Sequence, residues 1–338
     1  MKKVTIHDVC RDAGVSISTV SNVLNDKPNV GEATRKRVWS AIERLKFTPS
    51  ASARNLSRRR TDTIAVMLPF FAGYFGRHFQ GVQEVTAPAG YYLLTVVVQE
   101  MAEMFKAVMK LIQEQRVDGL ILYNQDFSNA QVRELLKHKM PIVAPDRHTS
   151  GPHLPTVFFD NFKAGYEATR HMIDHGYERI ATLTGPLKWV SASERLRGYR
   201  AAMRDYGLKA DASLVVEGSW IDEPSTAHFI AHFRNRAWPQ AIVAGNDWMA
   251  LGLLRYARNH RDAKVRSTAI IGFDDVDYAN TAGLTTMGAP WEELGRRSAR
   301  FLLELIREGP EAKRVIPSEP VPVQLIVRSS CGCAASSV

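Results

Sequence analysis

The sequence predicts an α/β protein with a small helical head: an N-terminal three-helix helix-turn-helix module and a hinge segment, then two doubly wound parallel α/β lobes. Three observations predict this. Residues 5–25 read TIHDVCRDAGVSISTVSNVLN, two short helices joined at Gly14. From Thr61 onward, short β-branched runs alternate with helical stretches, and the alternation occurs twice. The charge is divided unevenly: residues 1–60 hold 13 Lys/Arg against five Asp/Glu, whereas the other 278 hold 31 against 30. Nearly all of the net +9 therefore sits on the helical head. Such a patch attracts a polyanion through phosphate neutralisation and counterion release.

The first helix spans roughly Ile6–Ala13, opened by a Thr5/Asp8 capping box and closed at Gly14. The second spans about Ser16–Leu24, with Val15, Val20, Val23 and Leu24 as its apolar stripe. Asn25–Pro28 is a turn. A third helix runs from about Gly31 to Leu45, with Val38, Ala41, Ile42 and Leu45 at helical spacing. The segment TPSASARNLS after Phe47 has Pro49 in a first-turn position and is too short to hold a helix alone, so it orders only when something packs on it.

Strands are expected at Ile64–Leu68, Leu93–Val98, Gly119–Tyr123, Ile142–Ala144 and Val157–Phe159. The second series lies near Ile180–Thr184, Leu214–Val216, Ala241–Ala244 and Ala269–Gly272. Helices are expected near Phe79–Ala87, Met104–Gln115, Ala130–His138, Ala164–His175, Glu194–Tyr206, Ser225–Arg234 and Ala250–Asn259. Pro88 sits late in the first of these and ends it early. An amphipathic helix at about Trp291–Arg307 precedes a proline-rich stretch and a last strand at Leu325–Val327. Open sheets of this kind bind ligands beyond the carboxyl ends of their strands, which places a ligand in the cleft between the lobes.

The resulting division is residues 1–48 for the DNA-binding module, 49–60 for the hinge, 61–160 plus 290–320 for one lobe, 161–289 plus 321–330 for the other, and a tail at 331–338. Three cysteines, Cys10, Cys331 and Cys333, form no CxxC and fit a reducing compartment. Cys331 and Cys333 read as part of a frayed tail rather than a metal site, because no histidine or further cysteine lies near them in sequence. There is no signal-peptide core and no run of ~18 apolar residues, so a cytoplasmic protein without a membrane partner is expected. No P-loop, GxGxxG, HExxH or GxSxG motif is present, which argues against an enzyme and calls for no cofactor and no metal.

The chain resembles the LacI/GalR family of bacterial transcription regulators. The residues that carry the resemblance are AGVS at Ala13–Ser16, TVSNVLN at Thr19–Asn25, FTPSASARNL at Phe47–Leu56, NDWMALG at Asn246–Gly252 and GFDD at Gly272–Asp275. It implies lobes of the periplasmic-binding-protein type and a homodimer on a near-palindromic operator in double-stranded DNA. It also implies that a small effector controls operator affinity. The second helix becomes the recognition helix in the major groove. Ile17, Ser18 and Asn22 fall where the family reads bases: Ile17 toward a thymine methyl, Ser18 as a small donor or acceptor, and Asn22 toward adenine N6 and N7. Many relatives carry Arg at the last position, so no operator sequence transfers. Thr5, Ser16, Thr19, Ser21, Asn25 and Thr34 are expected on phosphates, with helix capping as the competing role. Ser52, Asn55 and Leu56 belong to the hinge, and Leu56 is the residue that wedges between central base steps in the minor groove.

For the effector, the resemblance places polar groups at Asp146, Arg195, Asn246 and Asp274. Trp220, just after a strand, falls on an effector-site position of the family. Phe70, Phe71, Tyr74, Phe75, Trp189 and Trp248 crowd other strand ends, and Phe158 is a further candidate with a core role as its alternative. Carboxylates beside flat apolar faces suit a sugar ring, and would equally stack a purine. The expectation is a repressor with a carbohydrate effector. The alternatives are a regulator responding to a purine or nucleoside, and a carbohydrate-binding protein without DNA function. Only ten residues follow Arg328, without leucine heptads, so a dimer is expected rather than a tetramer.

Overall fold

The computed structural model describes residues 4–25, 27–47, 60–69, 74–98, 100–123, 127–146, 154–309 and 320–333. The chain separates into two compact units, residues 1–62 and 63–338.

The first unit holds α1 (Ile6–Ala13), α2 (Ile17–Leu24) and α3 (Glu32–Leu45). Thr5 donates from both its backbone N and its hydroxyl to Asp8 Oδ2, at 2.9 and 2.7 Å. Gly14 takes the left-handed conformation that ends α1. Val9, Ala13, Val20, Val23, Val38, Ala41 and Ile42 are buried together as a small core, with Val15, Leu24 and Leu45 packed around them. Ser16 caps α2, its Oγ accepting from Thr19 N at 3.2 Å. Ser16→Ala is expected to cost this unit about 1 kcal/mol. Amide exchange of α1–α3 in the full chain, faster by roughly five-fold, is the measurement that checks it.

The second unit contains two sheets. The first is parallel, order β2-β1-β3-β4, from β1 (Thr63–Leu68), β2 (Tyr92–Val97), β3 (Gly119–Leu122) and β4 (Ile142–Val143). Its helices are α4 (Tyr74–Thr86), α5 (Met101–Gln113) and α6 (Asn129–Lys137). Pro88 lies in the turn after α4. The chain then crosses over to α7 (Asn161–Asp174), β5 (Ile180–Thr184), α8 (Val190–Asp205), β6 (Val215–Glu217), α9 (Asp222–Phe233), β7 (Ala241–Ala244) and α10 (Asp247–Arg258). It continues through α11 (Ala263–Arg266), β8 (Ala269–Phe273), α12 (Asp277–Ala282) and β9 (Thr285–Gly288). Helix α13 (Trp291–Glu308) returns to the first lobe, where it packs on α4 and β3. The last strand, β10 (Gln324–Ile326), returns to the second, whose order is β10-β9-β8-β7-β5-β6.

Four differences from the sequence reading have physical causes. Residues 157–159 are not a strand: Phe159 makes one bridge, to Val321. Carbonyls of this crossover accept from the β4 edge (Ala144 N to Pro155 O and Asp146 N to Val157 O, both 2.7 Å), but Pro155 has no N–H to return and the ladder does not close. Strand β9, rich in threonine, has too little apolar pattern to be read, yet Thr285 and Thr286 are buried because their hydroxyls bond Arg328 N and Asp247 Oδ1. Strand β10 is antiparallel to β9, Leu325 facing Met287, so the second sheet is parallel except at this edge. Helix α8 begins at Val190, four residues earlier than expected, which puts Arg195 in its second turn.

Each lobe has one pair of helices crossing in direct backbone contact. In the first, Gly81 of α4 lies on the Glu292 carbonyl and Gly295 of α13 on the His78 carbonyl. In the second, Gly165 of α7 lies on the Arg195 carbonyl and Gly198 of α8 on the Phe162 carbonyl, with Tyr166 N at 2.6 Å from where a Gly198 Cβ would stand. No side chain fits at any of these four positions without moving backbone.

Candidate DNA interface and effector cleft

Helix α2 has an exposed N-terminus with no acidic residue in its first turn, so its positive dipole end faces outward capped only by the Ser16 hydroxyl. Ile17, the first residue of the helix, is 46% exposed, and Ser18 beside it is exposed too. The hydroxyls around them form a local net, Ser16 Oγ to Ser18 Oγ at 2.7 Å and to Thr19 Oγ1 at 2.9 Å. Asn22 and Ser21 are half-buried on the next turn. Asn25 donates to the Ser21 carbonyl at 2.9 Å and closes the helix. Thr34 lies in the first turn of α3, its N–H bonded to the Gly31 carbonyl at 3.0 Å. Ser52, Asn55 and Leu56 lie outside the described residues.

In the second unit the carboxyl ends of β4, β5, β7 and β8 converge on Arg195. Its Nε donates to Asn161 Oδ1 at 2.9 Å and its Nη1 donates to the Gly245 carbonyl. The guanidinium lies over the face of Phe273, 3.3 Å from the ring centroid, and 5.6 Å from that of Trp220. Asn161 in turn donates to Asp146 Oδ1 at 2.9 Å. A continuous row, Asp146–Asn161–Arg195, thus spans the crossover from β4 to α8.

Burial pushes the Asp146 carboxyl up to about 6, against the opposing pull of Arg195, Asn161 and Ser191. Asp274, after β8, is buried and held well above the usual carboxylate range by burial. Arg195 opposes that rise, while Asp247 and Asp146 add to it. Asp247 is fully buried and raised to about 7, again by burial first, although Thr286 Oγ1 and Val276 N donate to it at 2.6 and 2.9 Å. Backbone strain collects here as well: Asp146, Trp220, Asp274 and Asp275 all have left-handed φ, at 54°, 68°, 112° and 57°.

Two tryptophans complete the site. Trp189 and Trp220 lie 6.0 Å apart, and the Trp220 indole packs directly on the Gly185 backbone. The indole N–H groups of both are buried without an acceptor among the described residues. Asn246 caps α10, accepting from Met249 N at 2.9 Å, and its Nδ2 holds the Trp220 carbonyl at 3.0 Å, so it acts on the site through Trp220. Phe158 is half-buried on the crossover, its carbonyl accepting from Val321 N. Tyr74 opens α4, and its side chain, like Phe70 and Phe71, lies outside the described residues.

Three contributors were not singled out from the sequence. Asn161 joins Asp146 to Arg195, which lies 34 residues beyond Asn161, Phe273 supports the guanidinium, and Arg77 of α4 donates across the cleft to the Asp274 and Asp275 carbonyls. Nothing in the local pattern marks Asn161 beyond its place at the start of a helix. The carbonyls that Arg77 reaches have no sequence signature at all.

The comparisons agree with this geometry. Residues 5–50 match the model of bacterial regulatory proteins of the lacI family. Residues 62–327 match that of periplasmic binding proteins and the sugar-binding domain of the LacI family. A protein of Aliivibrio fischeri (strain MJ11), the HTH-type transcriptional repressor PurR, is 31% identical over 333 residues, covering 96% of this chain and 98% of its own. The protein of that name from Photobacterium profundum is 32% identical with the same coverage. Among solved structures, the lac repressor dimer bound to operator and the anti-inducer ONPF is similar with a TM-score of 0.82 and 25% identity, covering 98% of this chain and 99% of that one. The transcriptional regulator CelR in complex with cellobiose has a TM-score of 0.68 and 28% identity, covering 97% and 100%. No described helix is long and apolar enough to cross a membrane. With both family models matched in order along almost the whole chain, it belongs to the lacI family of bacterial regulatory proteins: a DNA-binding transcriptional repressor that responds to a small molecule, and not an enzyme.

Proposed function

We propose that the effector is a carbohydrate, bound between the lobes beside Arg195, and that the repressor acts on its operator as a homodimer. The observation that carries the first part is the combination of the Asp146–Asn161–Arg195 row with two buried indole N–H groups that have no acceptor among the described residues. A sugar hydroxyl both donates and accepts, so neighbouring hydroxyls can donate to Asp146 and accept from Arg195 or an indole. The apolar face of the ring then stacks on a tryptophan. Support for the dimer comes from the similar lac repressor dimer on operator, and from the need to set two recognition helices one turn apart. In this reading Ile17, Ser18 and Asn22 contact base edges. Thr5, Ser16, Thr19, Ser21, Asn25 and Thr34 contact phosphates, and the hinge residues Ser52, Asn55 and Leu56 enter the minor groove.

A second reading, a purine base or nucleoside, is favoured by the relatives named PurR and by the paired indoles, which suit a flat heterocycle. DNA selected from a random pool by the full-length protein supplies a probe for screening sugars and purines by operator anisotropy. A sugar that shifts operator affinity at least ten-fold supports the proposal. A response confined to purines replaces it with the second reading. Arg195→Met is expected to weaken the active effector by about 10–100-fold, the size of one charge-assisted hydrogen bond, while operator binding without effector persists. An unchanged effector affinity would remove Arg195 from the site.

A further inference from the structure

The carboxyl end of α7, opposite its Asn161 end, meets the C-terminal tail in a cluster outside the effector cleft. His171 and His175 sit one turn apart, with ring centroids separated by 4.4 Å. Against them lie Cys331 and Cys333, their sulfurs 3.1 Å apart. His175 Nε2 is 2.8 Å from Cys333 Sγ, and His171 Nε2 is 4.0 Å from it. One ligand atom from each of the four residues falls within 4.8 Å of all the others. The tail was expected to fray because no histidine neighbours the cysteines in sequence; α7 supplies two in space.

We propose that these residues form a Cys2His2 site for a soft divalent cation, Zn²⁺, that fastens the tail to α7. Bond lengths of about 2.3 Å to sulfur and about 2.0 Å to nitrogen put tetrahedral ligand atoms roughly 3.3–3.8 Å apart. The observed separations bracket that range, so rotamer adjustments of about 0.5–1 Å bring all four to one centre. The donor set of two thiolates and two imidazoles is a zinc set.

Three features show that the site is built rather than accidental. His175 Nδ1 is 2.8 Å from the His171 carbonyl, which fixes its proton there and leaves the Nε2 lone pair facing Cys333. The tail is placed by its own bonds: Ser330 Oγ donates to the Ile270 carbonyl at 2.6 Å and Ser330 N to the Gly283 carbonyl at 3.0 Å. Between the cysteines, Gly332 has φ of 87° and lies so close to the Tyr177 hydroxyl that a Cβ would overlap it. Cys331 is buried and Cys333 is half-buried, while His175 is at the surface, so an ion can enter from one side. Four protein ligands leave no open position, which makes the site structural.

The test uses untagged, full-length, reduced protein. Elemental analysis and Co²⁺ titration are expected to show one ion per chain, with the intense visible bands of tetrahedral cobalt and thiolate charge transfer in the near ultraviolet. Cys333→Ser and the double variant Cys333→Ser/His175→Ala are expected to lose the charge-transfer band and at least 100-fold in Zn²⁺ affinity against a chromophoric chelator. Cys10→Ser keeps both. Chelator-treated wild-type protein, which needs no variant to fold, is expected to become more sensitive to proteolysis at its tail and to recover with Zn²⁺. A wild-type protein that shows no tetrahedral cobalt spectrum, binding that survives in the double variant, or a Cys331–Cys333 disulfide formed in place of metal uptake would each overturn the site.

Discussion

Gly198→Val is expected to destabilise the second lobe by about 3 kcal/mol or more, at the upper end of overpacking costs. The α7–α8 crossing has no room for a side chain: a Cβ on Gly198 would overlap the Phe162 carbonyl and stand 2.6 Å from Tyr166 N, both of which are backbone and cannot rotate away. Relief requires the helices to separate. That opens the layer around Ala164, Ala168, Leu196 and Tyr199, all of them buried. The same separation displaces Arg195, whose carbonyl lies against Gly165. Effector affinity is therefore expected to fall together with stability. Thermal unfolding followed by near-UV circular dichroism should show a loss of roughly 6–12 °C, given about 2–4 °C per kcal/mol for a domain of this size. Gly76→Ala in α4 is the control, since nothing lies within 4 Å of its added methyl and its φ is ordinary; a change of no more than about 1 kcal/mol is expected there. If Gly198→Val unfolds within 1 °C of the parent, the crossing is not the close contact described.

Stability is expected to rise by roughly 2–4 kcal/mol as pH falls from 8 to 5, the reverse of ordinary acid behaviour. Asp247, raised to about 7, Asp146, raised to about 6, and Asp274, held well above the usual carboxylate range by burial, are protonated in the folded chain over a range where the unfolded chain has already lost those protons. Folding then takes up protons between about pH 4 and the folded values, so stability falls as pH rises through that window, by up to about 1.4 kcal/mol per unit and group.

His78 works in the opposite direction. Its ring is buried without a hydrogen-bond partner among the described residues, between Phe79 and Tyr123, and burial lowers it to about 3. Below about pH 6.5 the unfolded chain protonates this histidine and the folded chain does not, so its contribution is lost as pH falls toward 3. Urea unfolding at half-unit pH steps separates the two. Asp247→Asn should flatten the slope between pH 5 and 7, and His78→Phe should steepen the gain on the acid side. A parent protein whose stability peaks at pH 8 would show that the buried acids are not held neutral.

Much of the molecule could be read from the chain alone, and the residues show why. The capping box at Thr5 and Asp8, the Ser16 cap and the stripe around Val20 are local, and their physics operates over three or four residues. The parallel strands announce themselves as buried β-branched runs, so β1, β5 and β7 were placed almost to the residue. Asp146 and Asp274 were expected just after their strands from motif position and lie there, while Arg195 was expected at a helix start and lies in the second turn of α8. Tertiary structure decided the meetings of groups with no sequence pattern in common. Asn161 became the link between Asp146 and Arg195 only when α7 began beside β4. Asn246 became a cap and a tether for Trp220 once β7 had placed it beside that carbonyl. The threonine strand β9 exists because its neighbours accept and satisfy its hydroxyls. Two cysteines in a polar tail acquired two histidines more than 150 residues away because β10 brings the tail back to the end of α7. Periodicity and caps report the chain's neighbours along the backbone; partners chosen by packing leave no periodic trace, and only the folded arrangement reveals them.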